Sequence, residues 1–373
     1  MKGTRKYICI GLISIVLLTL SPNFAAAISV NADGAILMEQ QSGRVLYEKN
    51  PHEIRRIASI TKIMTAIIAI ESGKLNDSVK VSEKAVYTEG SSVYLQKGEL
   101  IKLEDLVYGL MLRSGNDAAT AIAEHVGGSV EGFVFLMNQK AEEIGMRNTV
   151  FANPHGLDDH EDHYSTPYDM ALLTRYAMEN ATYQKISGTK VHTFEREHGT
   201  QQWKNKNRLL TLYPYSTGGK TGYTKRANRT LVTTASKDGV DLIAVTLNDS
   251  NDWDDHAAMY EYGFAEYEVK RLLNKGLISE VKDIEDKEFY IKEDFYYPVS
   301  DADLEEIKIE YKMLPKKKLQ EKRSGKAGLA IVYFQNEPIK KLPIYMKDMN
   351  DKGDGKHWWK KIKEFIFGVI GND

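Results

Sequence analysis

The chain has 373 residues, of which 42% are hydrophobic, and this length supplies ample apolar material for a core in two or three domains. Its 50 basic and 52 acidic side chains leave a formal net charge of −2, so no nucleic-acid partner is expected. The single cysteine excludes a disulfide within the chain.

The first 27 residues have the layout of a cleavable secretory signal. A basic start, Met1–Lys6, precedes an apolar run over Ile8–Leu20, and the small residues Ala25–Ala27 suit cleavage before Ile28. The run is too short for a membrane span, which needs about 20 residues, although an uncleaved anchor is the alternative. Because Cys9 lies in this leader, the exported chain lacks a thiol nucleophile, and oxygen or nitrogen must carry its chemistry.

A hairpin and a helix are predicted next. The β-prone segments Ala35–Met38 and Arg44–Tyr47 flank a turn at Ser42-Gly43. Apolar residues then recur at helical spacing as far as Gly73, namely Ile60, Ile63, Met64, Ile67 and Ile68. Ser59 is therefore expected at or near the N-terminus of a helix.

Two further helices are predicted over Leu103–Leu112 and Ala118–Val126, with Ser114-Gly115-Asn116 in a tight loop between them. The stretch Asn153–Tyr168 is rich in Pro, Gly, His and Asp, which predicts a long surface loop. A helix around Asp169–Met178 follows it.

Core strands are predicted over Leu231–Ala235 and Leu242–Leu247, and Lys220-Thr221-Gly222 is expected on a strand at a sheet edge. From Glu288 onwards, short alternating segments indicate a small all-β domain. We expect a catalytic domain over residues 28–273 and a β domain over residues 274–350, with the boundary near Asn274.

The tail, residues 351–373, is predicted to contain an amphipathic helix over His357–Ile370. One face carries Trp358, Trp359, Ile362, Phe365, Ile366, Val369 and Ile370. Such a helix is only about 20 Å long, so it is expected to lie in a membrane interface as an anchor rather than to span the bilayer. Docking on the protein itself is the alternative.

Three short motifs carry the chemistry: Ser59-Ile-Thr-Lys62, Ser114-Gly-Asn116 and Lys220-Thr221-Gly222. Each one alone is a weak signal, but the three in this order indicate an acyl-transfer site. The plainer explanation makes the serines helix caps, Lys62 an exposed lysine and Lys-Thr-Gly an ordinary turn.

Ser59 is the candidate nucleophile and needs a base within hydrogen-bond reach. Lys62 lies on the same helix face, and burial beside other cations disfavours its ammonium form, so its amine can accept the serine proton. Ser114 would pass a proton to the leaving amine, and Asn116 would position Lys62 and hold a substrate backbone group. No cofactor or metal is needed for this chemistry.

The third motif is suited to substrate binding. Lys220 and Thr221 could hold a substrate carboxylate, and Gly222 would let an extended peptide approach the strand. The backbone amides of Ser59 and Tyr223 are candidates for an oxyanion hole. Arg208 is a candidate second contact for the carboxylate; otherwise it is a surface arginine.

The cluster His155, Asp158, Asp159, His160, Asp162 and His163 could be taken for half of a zinc site. Its spacing is not His-Glu-x-x-His, and a solvated loop explains it without metal. We therefore favour a site without metal.

The sequence around the three motifs resembles the serine D-alanyl-D-alanine carboxypeptidases among the low-molecular-mass penicillin-binding proteins. The resemblance extends beyond the catalytic residues to the segments Ala58–Thr65, Leu110–Ala119 and Gly219–Thr224, and also to Asn153–Asp158 and Ser165-Thr166. The resemblance covers nearly the whole exported chain. It implies an α/β fold like that of β-lactamases and DD-peptidases, with an antiparallel sheet flanked by helices, a helical lobe, an all-β domain and an amphipathic anchor.

The resemblance also implies the reaction. Ser59 would be acylated by a peptidoglycan stem pentapeptide with loss of its terminal D-alanine, and water would release the product. β-Lactam antibiotics would trap the same serine. The chain would act at the outer face of the cytoplasmic membrane or in the cell wall.

A finer resemblance rests on Ser187–Lys190 and Tyr213–Gly219, which look closest to the sporulation-associated branch of spore-forming Gram-positive bacteria and would place the work on spore cortex. The segment Ala227–Val232 departs from the family wording Ala-Gly-x-Cys-Leu-Val, which puts the packing there in doubt more than the catalysis.

Other functions remain open at this point. A serine β-lactamase shares the acylation but needs fast deacylation. A non-catalytic wall-binding or β-lactam-sensing module could use the same pocket without turnover. A zinc peptidase would lose activity with a chelator and be indifferent to penicillin.

Overall fold

The computed structural model describes residues 28–196, 199–281, 287–322 and 324–348. The chain divides into two compact units between Glu266 and Tyr267. The predicted leader (residues 1–27) and the predicted tail (residues 351–373) lie outside the described residues. Within the described ranges, no helix has both the length and the apolar character that a membrane crossing requires.

The strands of the first unit are β1 (Gly34–Glu39), β2 (Val45–Lys49), β3 (Ser78–Lys80), β4 (Leu100–Lys102), β5 (Val191–Arg196), β6 (Gly199–Lys204), β7 (Ser216–Thr224), β8 (Asn228–Lys237) and β9 (Val240–Leu247). Its helices are α1 (Lys62–Glu71), α2 (Glu83–Val86), α3 (Leu103–Tyr108), α4 (Asn116–Gly127), α5 (Val130–Ile144), α6 (Pro167–Ala177), α7 (Ala181–Gly188), α8 (Leu209–Leu212) and α9 (Asp252–Glu266).

Five strands form one antiparallel sheet in the order β2-β1-β9-β8-β7. The predicted hairpin is confirmed: β1 pairs with β2, and Gly43 takes a φ of +76° in the turn between them. The predicted strands β8 and β9 are confirmed as neighbours. Because β7 pairs only with β8 in this sheet, the Lys-Thr-Gly motif does lie on an edge strand.

Helix α1 is buried along almost its whole length, from Lys62 to Ile70. A helix that is apolar all round belongs in a core, and α1 contacts α3, α4, α5, α6 and α7 of the helical lobe. The predicted helix after Ser59 is therefore confirmed. Its position in the core fixes the residues at its N-terminus.

Two expectations need correction. The predicted helix over Leu103–Leu112 ends as an α-helix at Tyr108 and continues as one π-helical turn, Gly109–Arg113, which leads into Ser114. The stretch Asn153–Tyr168 was expected at the surface, yet several of its polar residues are buried, among them Asn153, His155, His163, Ser165 and Thr166. Its backbone can be buried because side chains such as Asn153 satisfy its polar groups.

The second unit is mostly β-structure. Its strands are β10 (Glu268–Leu273), β11 (Gly276–Leu277), β12 (Lys287–Ile291), β13 (Phe295–Val299), β14 (Ile307–Met313), β15 (Ser324–Phe334) and β16 (Glu337–Asp348), with a short helix α10 (Lys316–Gln320). Five of them form a sheet in the order β11-β12-β16-β15-β14, while β10 pairs with β13.

The core of the second unit is separate from that of the first, and Phe289, Val332, Leu342, Ile344 and Met346 are among its buried residues. The C-terminal all-β region is thus confirmed. The division falls before the expected boundary at Asn274 because β10 pairs with β13 of this unit.

Candidate active site

Ser59 lies in a single 3-10 turn, Ala58–Thr61, that leads into α1. Neither this turn nor α1 has a side-chain cap, so the explanation of Ser59 as a helix cap does not fit the structure. Ala58, which precedes it, has a φ of +48°, a conformation that costs free energy when a Cβ is present. The backbone that presents the Ser59 hydroxyl is therefore held in place by its surroundings.

Lys62 is fully buried, and its Nζ has three neighbours. The Ser59 Oγ is 2.9 Å away, the Asn116 Oδ1 is 2.7 Å away and the backbone oxygen of His155 is 2.5 Å away. Burial lowers the pKa of Lys62 well below its ordinary value, and the charges of Lys220 and Lys206 lower it further. Burial and the neighbouring cations therefore both disfavour the ammonium form of Lys62.

The three contacts also decide which way the neutral amine points. An amine has two N–H bonds and one lone pair, and the oxygens of Asn116 and His155 can only accept. These two oxygens take both N–H groups, which leaves the lone pair for the hydroxyl of Ser59. In this state Lys62 is a base aimed at the serine proton.

Ser114 and Asn116 lie where α4 begins. Ser114 is left-handed, with φ +64°, and ends the π-helical turn, while the N-cap of α4 is Gly115, so Ser114 is not the N-cap of α4. The Asn116 amide donates to the backbone oxygen of Glu89 across 2.6 Å while its Oδ1 accepts from Lys62. Of its two N–H bonds, one is thus used within the protein and one remains for a substrate.

Lys220 is buried on β7, and its Nζ donates to Ser114 Oγ at 3.1 Å and to the backbone oxygen of Thr221 at 2.6 Å. Burial lowers its pKa to about 7, and the charge of Lys206 contributes. The first two motifs meet through Lys62 and Asn116, and the third joins them through this contact with Ser114. The structure therefore brings all three motifs together.

Gly222 and Tyr223 follow on the same edge strand. A Cβ placed on Gly222 would stand 2.9 Å from the backbone nitrogen of Ser59 and 3.2 Å from that of Ile60, and it would collide with the Thr230 hydroxyl. Glycine is therefore required for β7 to lie against the nucleophile's turn. The side chain of Tyr223 is 64% exposed.

Lys206 is a site residue that the sequence analysis missed. Its charge lowers the pKa of both Lys62 and Lys220, and its Nζ lies 3.4 Å from Ser91 Oγ. The candidate Arg208, two positions later, is an exposed residue at the start of α8. Nothing in the spacing of the chain distinguishes the two cations; only the fold shows that Lys206 faces the buried lysines.

Asp117 is a second residue that was missed. It is fully buried, and its carboxylate accepts from the backbone N–H groups of Val93 and Leu95 and from the hydroxyl of Ser92. The backbone oxygen of Ser91, the residue before this segment, accepts from the N–H of Asn116 at 2.6 Å. Asp117 thus fixes a loop that supports the Ser-Gly-Asn turn. In the sequence, only the position of Asp117 next to Asn116 indicates that it belongs to the site.

The histidine loop has structural contacts of its own. His163 lies 2.8 Å from Thr61 Oγ1, and its Nδ1 accepts from the N–H of Ala152. The backbone oxygen of His155 accepts a hydrogen bond from Lys62, and burial lowers the pKa of the His155 imidazole to about 3. Within the described ranges, no group of three or more His, Cys, Asp or Glu side chains could hold a metal ion.

Comparison with known proteins agrees with this geometry. The sequence profile of the D-alanyl-D-alanine carboxypeptidase family matches residues 21–251. The chain is 33% identical over 366 residues to the D-alanyl-D-alanine carboxypeptidase DacF of Bacillus subtilis (strain 168), covering 92% of this chain and 94% of that one. It is 36% identical over 257 residues to DacC of Escherichia coli (strain K12), covering 65% and 63%.

Among solved structures, penicillin binding protein 5 from Haemophilus influenzae is similar to this chain with a TM-score of 0.73 at 26% identity, covering 87% of this chain and 98% of that one. The carboxypeptidase DacD from Francisella tularensis has a TM-score of 0.68 at 27% identity, with coverage of 87% and 94%. Both matches extend beyond the first unit into the second.

Proposed function

The chain belongs to the D-alanyl-D-alanine carboxypeptidase family and is a serine-type D-Ala-D-Ala carboxypeptidase of cell-wall metabolism, a penicillin-binding protein; on that premise we propose that Ser59 is its nucleophile and Lys62 its general base. The observation that carries the assignment is the set of three contacts at the Lys62 amine. Two acceptors occupy its N–H bonds, so its lone pair is free for the Ser59 proton.

In the acylation step, Lys62 takes the Ser59 proton as Oγ forms a bond to the carbonyl carbon of the penultimate D-alanine. The carbonyl oxygen becomes an oxyanion, for which the backbone amides of Ser59 and Tyr223 are the proposed donors. The C–N bond then breaks. The terminal D-alanine leaves with a proton that returns from Lys62 through the hydroxyl of Ser114.

Deacylation repeats these roles with water. Lys62, again neutral, takes a proton from the water molecule whose oxygen attacks the ester carbon, and the proton returns to Ser59 Oγ as the C–O bond breaks. The shortened stem peptide is released. A β-lactam would form the same ester with Ser59.

Substrate binding is assigned to the cations on and beside β7. Lys220, Thr221 and Lys206 would hold the terminal carboxylate, because a carboxylate among these groups offsets the repulsion between the buried Lys220 and the exposed Lys206. Asn116 would donate its remaining N–H to the substrate backbone. Arg208, the candidate from the sequence, is the alternative to Lys206 as the second cation.

The assignment of the nucleophile is tested by labelling. Protein treated with penicillin and digested is expected to carry the adduct on the peptide that contains Ser59, at one equivalent per chain, and Ser59→Ala is expected to take none. A label on another residue, or an unlabelled wild type, would overturn the assignment. Slow loss of the label separates a carboxypeptidase from a β-lactamase, which must deacylate fast.

We also propose that the chain acts outside the cytoplasm, exported by its leader (residues 1–27) and held at the membrane surface by its tail (residues 351–373). The basic leader with its apolar run and the paired Trp358 and Trp359 support this. Sedimentation with liposomes tests the tail: a chain ending before Lys356 should lose binding, and unchanged binding would contradict the proposal.

Work on spore cortex is the finer proposal. It is supported by the resemblance of Ser187–Lys190 and Tyr213–Gly219 to the sporulation-associated branch. Deletion of the gene should change the stem-peptide composition of spore cortex and leave that of vegetative wall unchanged. A changed vegetative wall together with an unchanged spore cortex would contradict the proposal.

A further inference from the structure

A cavity of about 550 Å³ lies in the helical lobe, between α2, α4, α5 and the loop that contains Asn153 and His155. It shares a wall with the catalytic centre, because His155 lines the cavity and its backbone oxygen accepts a hydrogen bond from Lys62. None of the reaction steps uses this space. We infer that the cavity binds a neutral saccharide unit of the glycan strand that carries the stem peptide.

The charges of the lining favour a neutral ligand. Lys84 is paired with Glu131 at 3.6 Å, and the carboxylate of Asp159 accepts from the Asn153 amide at 2.6 Å. An anion would face two carboxylates against one lysine. These carboxylates also have partners already, so a cation gains little. Hydroxyl and amide groups, which hydrogen-bond without charge, suit this lining best.

The hydrogen-bonding groups inside the cavity are held in fixed positions. Thr88 and Thr120 place their hydroxyls 2.9 Å apart, and Thr120 is buried on α4, one turn after Asn116. The Nδ1 of His155 accepts from the N–H of Leu157 at 3.3 Å, and its lowered pKa keeps the ring neutral, so its proton is on Nε2. His155, a residue of the cavity lining, therefore carries an N–H donor at Nε2.

Tyr87 adds an exposed aromatic ring to this polar lining. Its side chain is 76% exposed and lies in the lining of the cavity, where it is accessible to a ligand. An aromatic face beside hydroxyl, amide and carboxylate groups matches the two kinds of surface that a sugar ring offers, apolar C–H faces and hydroxyl edges. The side chains of Val130 and Val134 complete the apolar part of the wall.

The inference rests on the proposed function only for the source of the saccharide. An extended stem of five residues spans up to about 17 Å. The wall of the cavity reaches the catalytic lysine, and Lys62 Nζ lies 2.9 Å from Ser59 Oγ. A saccharide in the cavity and a stem peptide at Ser59 can therefore belong to one peptidoglycan unit.

Binding is tested first, by titrating the full chain with N,N′-diacetylchitobiose, a neutral N-acetylated disaccharide. Tyr87→Ala removes the exposed ring, and Val134→Phe fills the cavity independently. Tyr94→Ala is the matched control, because Tyr94 is 82% exposed and does not line the cavity. We expect the first two variants to weaken binding at least about fivefold and the control to bind like wild type.

No binding to the wild type, or equal affinity in all four proteins, would overturn the inference. So would loss of disaccharide binding when penicillin has acylated the protein, because the disaccharide would then occupy the catalytic cleft.

Turnover provides the second readout. The kcat/KM for a disaccharide-linked pentapeptide should exceed that for the bare pentapeptide, and Tyr87→Ala should remove this advantage while turnover of the bare peptide stays within about twofold. An advantage that survives in Tyr87→Ala would count against the cavity. Absence of turnover on the bare pentapeptide would instead count against the proposed function, and disaccharide binding would still decide the inference.

Discussion

The Lys62 amine donates to the backbone oxygen of His155 across 2.5 Å, although the two residues are 93 positions apart in the chain. This contact and the one to Asn116 use the two N–H bonds of the neutral amine and leave its lone pair for Ser59. The backbone of a distant loop therefore helps to orient the base.

Replacing Lys62 with Gln should remove the base and keep polar contacts. We expect acylation by penicillin to slow by about 10² to 10⁴-fold, the range for loss of a general base. Thermal unfolding should be no easier than in wild type, because a buried amine is also removed. Lys74→Gln, at an exposed lysine just beyond α1, is the control and should acylate normally. Normal acylation in Lys62→Gln would rule out Lys62 as the base.

Asn153 holds the loop that presents the His155 oxygen, since its Oδ1 accepts from the N–H groups of His155 and Gly156. Asn153→Ala should slow acylation by at least about tenfold, because Lys62 loses a fixed acceptor, and should lower the free energy of unfolding by about 1 to 3 kcal/mol. The matched control is Asn138→Ala, which loses two comparable contacts with the backbone of Phe151. It should lose similar stability and keep its acylation rate. Equal slowing in both variants would mean a general loss of structure.

The pH dependence of kcat/KM should reflect the ionisation of both Lys62 and Lys220. Lys62 must be neutral to act, so kcat/KM should rise as pH increases through its lowered pKa. Lys220 must be charged to hold a carboxylate, and its pKa in the free protein is about 7, so kcat/KM should fall as pH rises above that value.

Bound substrate raises the pKa of Lys220, because its carboxylate favours the ammonium form, and the fall in kcat should therefore come at higher pH than the fall in kcat/KM. Both constants would be measured from about pH 5 to about pH 10. A kcat/KM that continues to rise across this range would contradict the role of Lys220.

Lys206 and Arg208 make a matched pair for the second cation. Lys206→Ala should raise KM by about tenfold through loss of a charge near the carboxylate. It should also move the rise of kcat/KM to higher pH, because one of the two charges that lower the pKa of the buried Lys62 is gone. Arg208→Ala should change neither. The reverse result would restore Arg208 as the carboxylate contact.

Gly222→Ala tests how closely β7 lies against the nucleophile's turn. The added Cβ would meet the Ser59 backbone nitrogen at 2.9 Å and the Thr230 hydroxyl, so we expect a loss of about 1 to 3 kcal/mol in the free energy of unfolding and slow acylation. The double variant with Thr230→Ala removes the hydroxyl clash and keeps the one at Ser59. It should still acylate slowly; normal acylation would mean that only packing at Thr230 matters.

The sequence was sufficient to predict the elements whose signal is local. Ser59 and Lys62 are three positions apart on one helical turn, and the strands of the sheet show their apolar pattern directly. The contacts that complete the site are not local. The His155 acceptor is a backbone atom, which residue type cannot reveal. Lys206 and Arg208 are both cations two positions apart, and only the folded chain shows that Lys206 acts on the charge of Lys62.

Burial of the Asn153–Tyr168 segment could not be predicted for a related reason. Its composition is that of a surface loop, but Asn153 and His163 satisfy backbone groups that would otherwise need water. Burial of this segment also depends on partners from α1. The hydroxyl of Thr65, for example, donates to the backbone oxygen of Pro154.

The most direct measurement of the central claim is a time course of D-alanine release from a diacyl-Lys-D-Ala-D-Ala tripeptide, with wild type and Ser59→Ala, in the presence and absence of penicillin. Multiple turnovers by the wild type, blocked by penicillin and absent in Ser59→Ala, are the predicted result. Turnover that persists in Ser59→Ala, or a wild type that penicillin labels but that releases no D-alanine, would contradict it.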